Sequence, residues 1–289
     1  MSEGFSIRER AAVFAEMLAG FLARHPHTLV LTGAGLSTAS GIPDYRDRDG
    51  VRRGRAPIQG PDFRRIEAVR RRYWARSMVG WPTLAQARPN AGHAALAALE
   101  AGGRIGSLLT QNVDGLHQQA GSRAVLELHG NIHTVVCLDC RTQMPRALVQ
   151  AMLEDANPQL AGAMAMPLPD GDAQLEPEAL DKFQLPSCPH CAGTLMPDVV
   201  FFGDNLPPAR TAQALAQMAA ADALLVVGSS LMVYSGFRFC LLAAEAGKPI
   251  AAINLGVTRA DHLIGMKIED SAEQLLPEVV RLLGQEPWR

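Results

Sequence analysis

Short continuous runs of Leu, Val and Ile recur along this chain, each closed by glycine or a small polar residue and followed by a helix-like stretch. HTLVLTG (27–33), RIGSLLTQN (104–112) and AVLELHGN (124–131) fall in the first half, and DVVFFG (198–203), ALLVVGSS (223–230) and PIAAIN (249–254) in the second. Between and after them lie amphipathic segments such as NAGHAALAALEAGG, PARTAQALAQMAAA, GFRFCLLAAEAG and SAEQLLPEVVRLLG. Strands apolar on both faces must be covered on both faces. Strands alternating with helices therefore build a parallel sheet between two helical layers. The fold class expected is α/β, a Rossmann-like parallel sheet domain.

The texture changes between about Val135 and Pro197. Two CxxC pairs, Cys137/Cys140 and Cys188/Cys191, bracket a stretch rich in Pro, Gly and Asp. Four thiolates at that spacing make a closed, tetrahedral structural zinc site with no open position for chemistry. The gap between the pairs is longer than in a common zinc ribbon, so a loop or helix is expected in it. His133 and His190 lie nearby but are not expected to replace a thiolate. Cys240, the fifth cysteine, sits in an apolar helix and reads as core. The chain is then a discontinuous Rossmann-like domain, residues 1–134 and 198–289, with an inserted small zinc-binding module at 135–197. Residues 46–89 form a loop and helical insert of that domain.

A chain of 289 residues with 48% apolar content has enough material for a large core, and a net charge of −2 gives no electrostatic case for nucleic-acid binding. No run is long and apolar enough to span a membrane. SIRERAAVFAEMLAGFLARH (6–25) places Arg8, Glu9, Arg10 and Glu16 among apolar residues at helical spacing. That pattern fits an amphipathic helix capping the fold, and neither a signal nor a transit peptide. A cytoplasmic location is expected.

Chemistry-bearing residues cluster where the apolar runs end. Gly33-Ala34-Gly35 lets backbone amides approach a pyrophosphate at the start of a helix. Thr38 stands where the dinucleotide fingerprint has its third glycine, so a standard dehydrogenase loop is absent. The segment SGIPDYRD follows, with Asp44 and Arg46 as either a surface ion pair or ligand contacts. Gln111, Asn112 and Asp114 end the second run, where one of the three is expected to cap a helix. His129 ends the third. A histidine there is often structural, but an imidazole also suits a general base. Gly228, Ser229 and Ser230, with Asn254, Leu255 and Gly256, end two later runs and fit either strand-to-helix turns or a ribose and an adenine edge.

Taken in order, GAG-x-S-x-x-SGIPDYR, TQNVDGLH, LHGN, the paired CxxC motifs, PDVVFFG, GSSL and IN resemble the sirtuin family over nearly the whole chain. RRYWARSMVGWP, CLDC, LLVVGSSLMVYSGFRF and INLGVTRAD look like its class II, mitochondrial sirtuin-4-like branch, in a bacterial member. The resemblance implies an NAD-dependent protein-lysine deacylase in which NAD is a co-substrate and is consumed. The acyl carbonyl oxygen attacks C1′ of the nicotinamide ribose, nicotinamide leaves, and an alkylimidate forms. His129 then activates a ribose hydroxyl, giving free lysine and O-acyl-ADP-ribose. By the same resemblance Asn112 is catalytic with His129. Gly33, Ala34, Gly35, Ser37, Asp44, Tyr45, Arg46, Gln111, Val113 and Asp114 hold NAD with Asn112. Gly228, Ser229, Ser230, Asn254, Leu255, Gly256 and Ala272 hold its adenosine half. Tyr45 and Ser229 replace the Phe and Thr of many members without removing a needed group.

An acyl-lysine protein or peptide is the implied partner, docking as a strand against Val199, Phe201 and Val233, with no nucleic acid or membrane and a monomer favoured. Tyr73 and Arg76 have the spacing with which the desuccinylating members read an acidic acyl tail. The alternative for that pair is a basic helix face beside Arg70, Arg71 and Arg72. The alternative activity is NAD-dependent mono-ADP-ribosyl transfer to protein.

Overall fold

The computed structural model describes residues 7–53, 56–163 and 182–284. Six short strands form its main sheet: β1 Leu29–Thr32, β2 Ser107–Thr110, β3 Val125–Glu127, β7 Leu224–Val227, β8 Ile250–Ile253 and β9 Met266–Ile268. They lie in the order β3-β2-β1-β7-β8-β9, every neighbouring pair parallel. The chain winds outward from β1 to β3, then returns to β7 on the other side of β1 and winds outward again. The order reverses between β1 and β7, and ligands of open α/β sheets bind outside the carboxyl ends at such a reversal.

Every residue of β1, β7 and β8 is buried. Because successive side chains alternate across a strand, the runs feed two cores. Val30, Leu108, Leu225, Val227 and Ile253 face Leu18 and Leu22 of α1 (Ile7–Arg24), Leu96 and Leu99 of α4 (Ala91–Ala101), and Leu276 and Val279 of α9 (Ala272–Leu282). Leu29, Leu31, Leu109, Leu224 and Val226 face Ala214 and Met218 of α7 (Pro208–Ala220), and Phe239, Cys240 and Ala243 of α8 (Tyr234–Glu245). Each fully buried Leu or Val contributes about 1.5–3 kcal/mol. The amphipathic N-terminal helix therefore caps one face as expected, and Cys240 is a core residue. α4 ends at Ala101 with Gly102 as its C-cap.

A second, antiparallel sheet in the order β5-β4-β6 comprises β4 Gly130–Cys137, β5 Gln143–Pro145 and β6 Leu195–Val199, flanked by α6 Arg146–Ala156. The strand read at 198–203 thus begins earlier and ends at Val199. It pairs antiparallel with β4 instead of joining the parallel sheet. The long gap between the cysteine pairs contains α6, but its centre, residues 164–181, lies outside the described residues. Edge strand β9 went unread because Met-Lys-Ile is too short and too mixed to show a period.

The helical insert is not separate from this sheet. Phe63 of α2 (Gly60–Arg65) and Trp74, Ala75 and Met78 of α3 (Glu67–Gln86) share one core with Val135, Val149, Leu153, Phe183 and Leu195.

One contact fixes the sheet's reversal point. Gly228 has φ +61°, and a Cβ there would lie 2.4 Å from the Leu36 amide nitrogen and 2.7 Å from the Gly35 carbonyl carbon. Both the left-handed backbone and the backbone neighbour exclude a side chain. Gly228→Ala is expected to cost about 2 kcal/mol or more and to lower the thermal midpoint by several degrees, read by calorimetry against wild type.

Candidate active site

Outside the carboxyl ends of β1 and β7 lies a cavity of about 1000 Å³. Its floor is the glycine contact just described. Gly33 N donates to Val227 O (3.0 Å) and Gly35 N to Gly228 O (2.8 Å), and a Cβ at either glycine would fall 2.7–2.9 Å from Ser229 or Gly228 atoms. The two turns thus present bare backbone to whatever lies above them. The helix expected after Gly35 is replaced by two 3₁₀ turns, Ala34–Leu36 and Thr38–Ser40. No long helix N-terminus supports the loop, so polar side chains from other strands hold it.

Asn112 Nδ2 donates to Gly33 O (3.1 Å) and Ser37 Oγ (3.0 Å), and Ser37 Oγ donates to Asp114 Oδ2 (2.7 Å). Asp114 Oδ1 accepts from Leu116 N (3.0 Å) at the start of the short α5, Leu116–Gln119, but the N-cap residue is Gly115 and has no side-chain cap, so none of the three is the helix cap. Gln111 Oε1 accepts from Ser229 Oγ (2.7 Å), tying β2 to β7. Below runs a buried chain of hydroxyls and imidazoles. Thr110 Oγ1 accepts from Asn112 N (3.1 Å) and from Thr32 Oγ1 (2.8 Å), which also meets His117 Nε2 at 2.9 Å. His117 packs edge-on to His93, with ring centroids 5.0 Å apart. Burial pushes His117 down to about 3 and His93 to about 4, so both rings are neutral near pH 7.

His129 stands between β3 and β4, at the cavity wall. Its Nδ1 lies 2.8 Å from Gln111 O, and its Nε2 lies 2.8 Å from Ser235 Oγ on α8. A carbonyl oxygen only accepts, so Nδ1 carries the proton and Nε2 the lone pair, which accepts from Ser235. Desolvation lowers the imidazole's pKa and outweighs the opposing bond to Gln111, and the charge of Arg210 lowers it further. The result is a neutral base with a defined tautomer facing the cavity.

The expected residues converge on this cavity. Gly33, Ala34, Gly35, Ser37, Asp44, Tyr45, Arg46, Gln111, Asn112, Val113, Asp114, Gly228, Ser229, Ser230, Asn254, Leu255 and Ala272 all line it, as do Tyr73, Arg76, Val199, Phe201 and Val233. Gly256 does not. Its φ is +101° and a Cβ would meet Arg48 O at 2.2 Å, so it seats the Arg48 backbone. Asp44 pairs with Arg53 (2.9 Å), while Arg46 Nη1 donates to Gly50 O (2.8 Å), so the Asp44–Arg46 pair does not form.

Cys137, Cys140, Cys188 and Cys191 bring their four sulfurs within 4.8 Å of one another, with Cys137–Cys191 at 3.5 Å and Cys140–Cys188 at 3.7 Å. A tetrahedron of Zn–S bonds near 2.3 Å has edges of about 3.8 Å. The donor set therefore fits one structural zinc ion. Two matching hairpin turns build it, with Arg141 N on Cys137 O and Ala192 N on Cys188 O, and with Arg141 and Ala192 both at positive φ. His133 is committed elsewhere, its Nε2 2.9 Å from Asp114 O.

Residues 33–235 match the Sir2 family. The chain belongs to that family. It is 56% identical over 256 residues to a protein of Xanthomonas campestris pv. campestris (strain 8004) named NAD-dependent protein deacetylase, covering 89% of this chain and 87% of that one. A Bordetella bronchiseptica protein of the same name is 53% identical over 265 residues, covering 92% of this chain and 97% of the other. Among solved structures, a Sir2 complex with a p53 peptide and NAD+ superposes with TM-score 0.73 at 30% identity, covering 93% of this chain and 98% of that one. A Sir2 bound to a propionylated peptide gives TM-score 0.71 at 30% identity, covering 93% and 98%.

Several groups at this Sir2 site escaped the sequence reading. Asn90, the N-cap of α4, accepts from Gly92 N and His93 N and donates its amide to Leu36 O (2.7 Å) and Ser40 Oγ (3.0 Å), clamping the glycine loop. As a helix cap it was legible; its second task was not. Ser235 carried no local signal at all.

Two outcomes follow for this Sir2 protein. His93 and His117 titrate well below the ordinary imidazole value near 6.5, so below about pH 6.5 the unfolded chain takes up protons that the folded chain refuses. Stability is full above that pH and declines toward pH 4. A series of thermal midpoints should show the decline, and His117→Gln should flatten it. Elemental analysis should find one zinc per chain. Cys188→Ser should lose that zinc, lower the thermal midpoint and shift tryptophan emission, because Trp74 Nε1 donates to Leu195 O (3.3 Å) beside the second hairpin turn.

Proposed function

We propose that this chain is an NAD-dependent protein-lysine deacylase that consumes NAD and releases nicotinamide, free lysine and O-acyl-ADP-ribose. The observation that carries the reading is the neutral Nε2 of His129, presented to the same cavity as the Gly33–Gly35/Gly228 cradle. A pyrophosphate fits over the bare glycine backbone of that cradle, with Arg46 beside it. Gln111, Asn112 and Asp114 bracket the nicotinamide ribose, and Ser37 keeps Asn112 and Asp114 in place. Gly228, Ser229, Ser230, Asn254, Leu255 and Ala272 receive the adenosine half. His129 Nε2 takes the proton of a ribose hydroxyl, and the Nδ1 bond to Gln111 O steadies the imidazolium that results.

The acyl-lysine substrate adds as an extended strand between the end of β6 and the start of α8. Val199, Phe201 and Val233 form its walls. Tyr73, packed edge-on to Phe63, Trp74 and Phe201, stands one helical turn from Arg76 on the same face of α3. That pair suits an acyl tail ending in a carboxylate. We place the chain in the sirtuin-4-like class II branch of bacterial origin, acting in the cytoplasm as a monomer. No helix among the described residues is long and apolar enough to cross a membrane.

The test is nicotinamide release from NAD with acetyl-, succinyl-, glutaryl- and lipoyl-lysine peptides. Release should require a peptide, and turnover to free lysine and O-acyl-ADP-ribose, the step after nicotinamide leaves, should fall about 10²–10⁴-fold in His129→Ala. Arg76→Ala should depress the acidic acyl peptides selectively. An unchanged ranking would leave Arg76 as part of a basic helix face. Mass spectrometry showing ADP-ribose on protein, without O-acyl-ADP-ribose in solution, would favour mono-ADP-ribosyl transfer instead.

A further inference from the structure

Ser235 is the second residue of α8, just inside the helix, and a serine hydroxyl caps its own helix only from the N-cap position. Here the cap residue is Val233, with no side-chain cap. The Ser235 hydroxyl reaches instead across 106 residues of sequence to His129 Nε2 at 2.8 Å. Since Nδ1 donates to Gln111 O, Nε2 is an acceptor and the serine is the donor. The neighbouring Gly236 makes this reach possible, because a Cβ there would lie 2.6 Å from Gln111 Nε2. Gln111 therefore fixes one edge of the imidazole with its carbonyl while its side chain sets how closely α8 approaches the other edge.

We propose that Ser235 is a positioning residue for the base, donating its hydroxyl to the Nε2 lone pair of His129 in the free protein and ceding that lone pair to the substrate hydroxyl on binding. The assignment of that substrate rests on the deacylase reading. The hydroxyl bond itself does not. A buried lone pair left without a donor costs free energy, and a donor on it favours the neutral ring. The arriving ribose hydroxyl replaces one O–H donor by another, so the exchange leaves no acceptor bare. The proton then passes from the ribose oxygen to Nε2, and Ser235 gains and loses none.

The charged groups on the elements packed around the ring are Arg210 on α7, Arg238 on α8, Glu127 on β3, Asp198 on β6 and Asp114 after β2. Arg210 also donates to Leu128 O (3.3 Å). Changing Ser235 alters none of them.

The experiment is an NMR titration of the His129 ring in the free protein, with its signal assigned by loss in His129→Gln, for wild type, Ser235→Ala and Ser235→Thr. Ser235→Ala should raise the His129 midpoint by about half a unit to one unit, and Ser235→Thr should keep it near wild type. In turnover, the acid limb of kcat/KM, which reports the free protein, should move up with it. That is about a three- to tenfold loss well below the limb, while the limb of kcat moves less because substrate has already displaced the serine. An unchanged midpoint in Ser235→Ala, or the same shift in Ser235→Thr, overturns the proposal. Absence of peptide-dependent nicotinamide release in wild type overturns the deacylase reading and leaves the titration to decide on Ser235.

Discussion

The backbone-to-backbone contact between the Gly33–Gly35 turn and Gly228 is the constraint from which the rest of the site follows. It lets β1 and β7 end in turns that touch, leaving a floor of glycine backbone without side chains. The floor has little helix behind it, only two 3₁₀ turns, so its shape depends on groups brought from β2 and α4. Asn112, Ser37 and Asp114 brace it on one side and Asn90 on the other. His129 takes its tautomer from Gln111, whose side chain is bonded to Ser229 next to Gly228. The base and the cradle are therefore set by the same strand ends.

The parallel sheet was legible because its strands are buried on both faces and read as unbroken Leu/Val/Ile runs. The zinc cluster was legible because paired CxxC motifs leave few other uses for four cysteines. Tertiary choices were not. DVVFFG looks like one more buried strand, but the partner that captures Leu195–Val199 is β4, and local sequence carries no information about which edge a strand meets. The helix expected after Gly35 failed for a related reason. Asn112 and Asn90 satisfy the loop's carbonyl oxygens and Ser37 in its place, and neither residue is local to it. Most residues that line the cavity were found because they end apolar runs. Gly256 was assigned to the ligand on that same pattern, although its bare α-carbon serves the Arg48 backbone.

The insert carrying α2 and α3 and the module carrying the cysteines look independent in sequence, separated by α4, β2, β3 and His129. In the fold they share one core around Trp74, Phe63, Val149 and Leu195. Tyr73 and Arg76 stand on the helix that this core supports. Removal of a metal held by the four sulfurs would therefore reach the cavity wall at Tyr73 and Arg76 through packing, although a closed four-sulfur site leaves such an ion no part in the chemistry.

The central strand also sets a timetable for synthesis. β1 is bounded by pairing partners from distant parts of the chain, and even its approach is closed by a bond from His27 to Asp222, 195 residues later. Until β7 emerges, one edge of a strand that is entirely buried in the finished fold has no neighbour to take its hydrogen bonds. Such an edge invites pairing with another chain, and non-local parallel pairing forms slowly. The same topology that creates a binding crevice thus exposes the nascent protein to aggregation for most of its translation, a hazard that ends only when the last third of the polypeptide arrives.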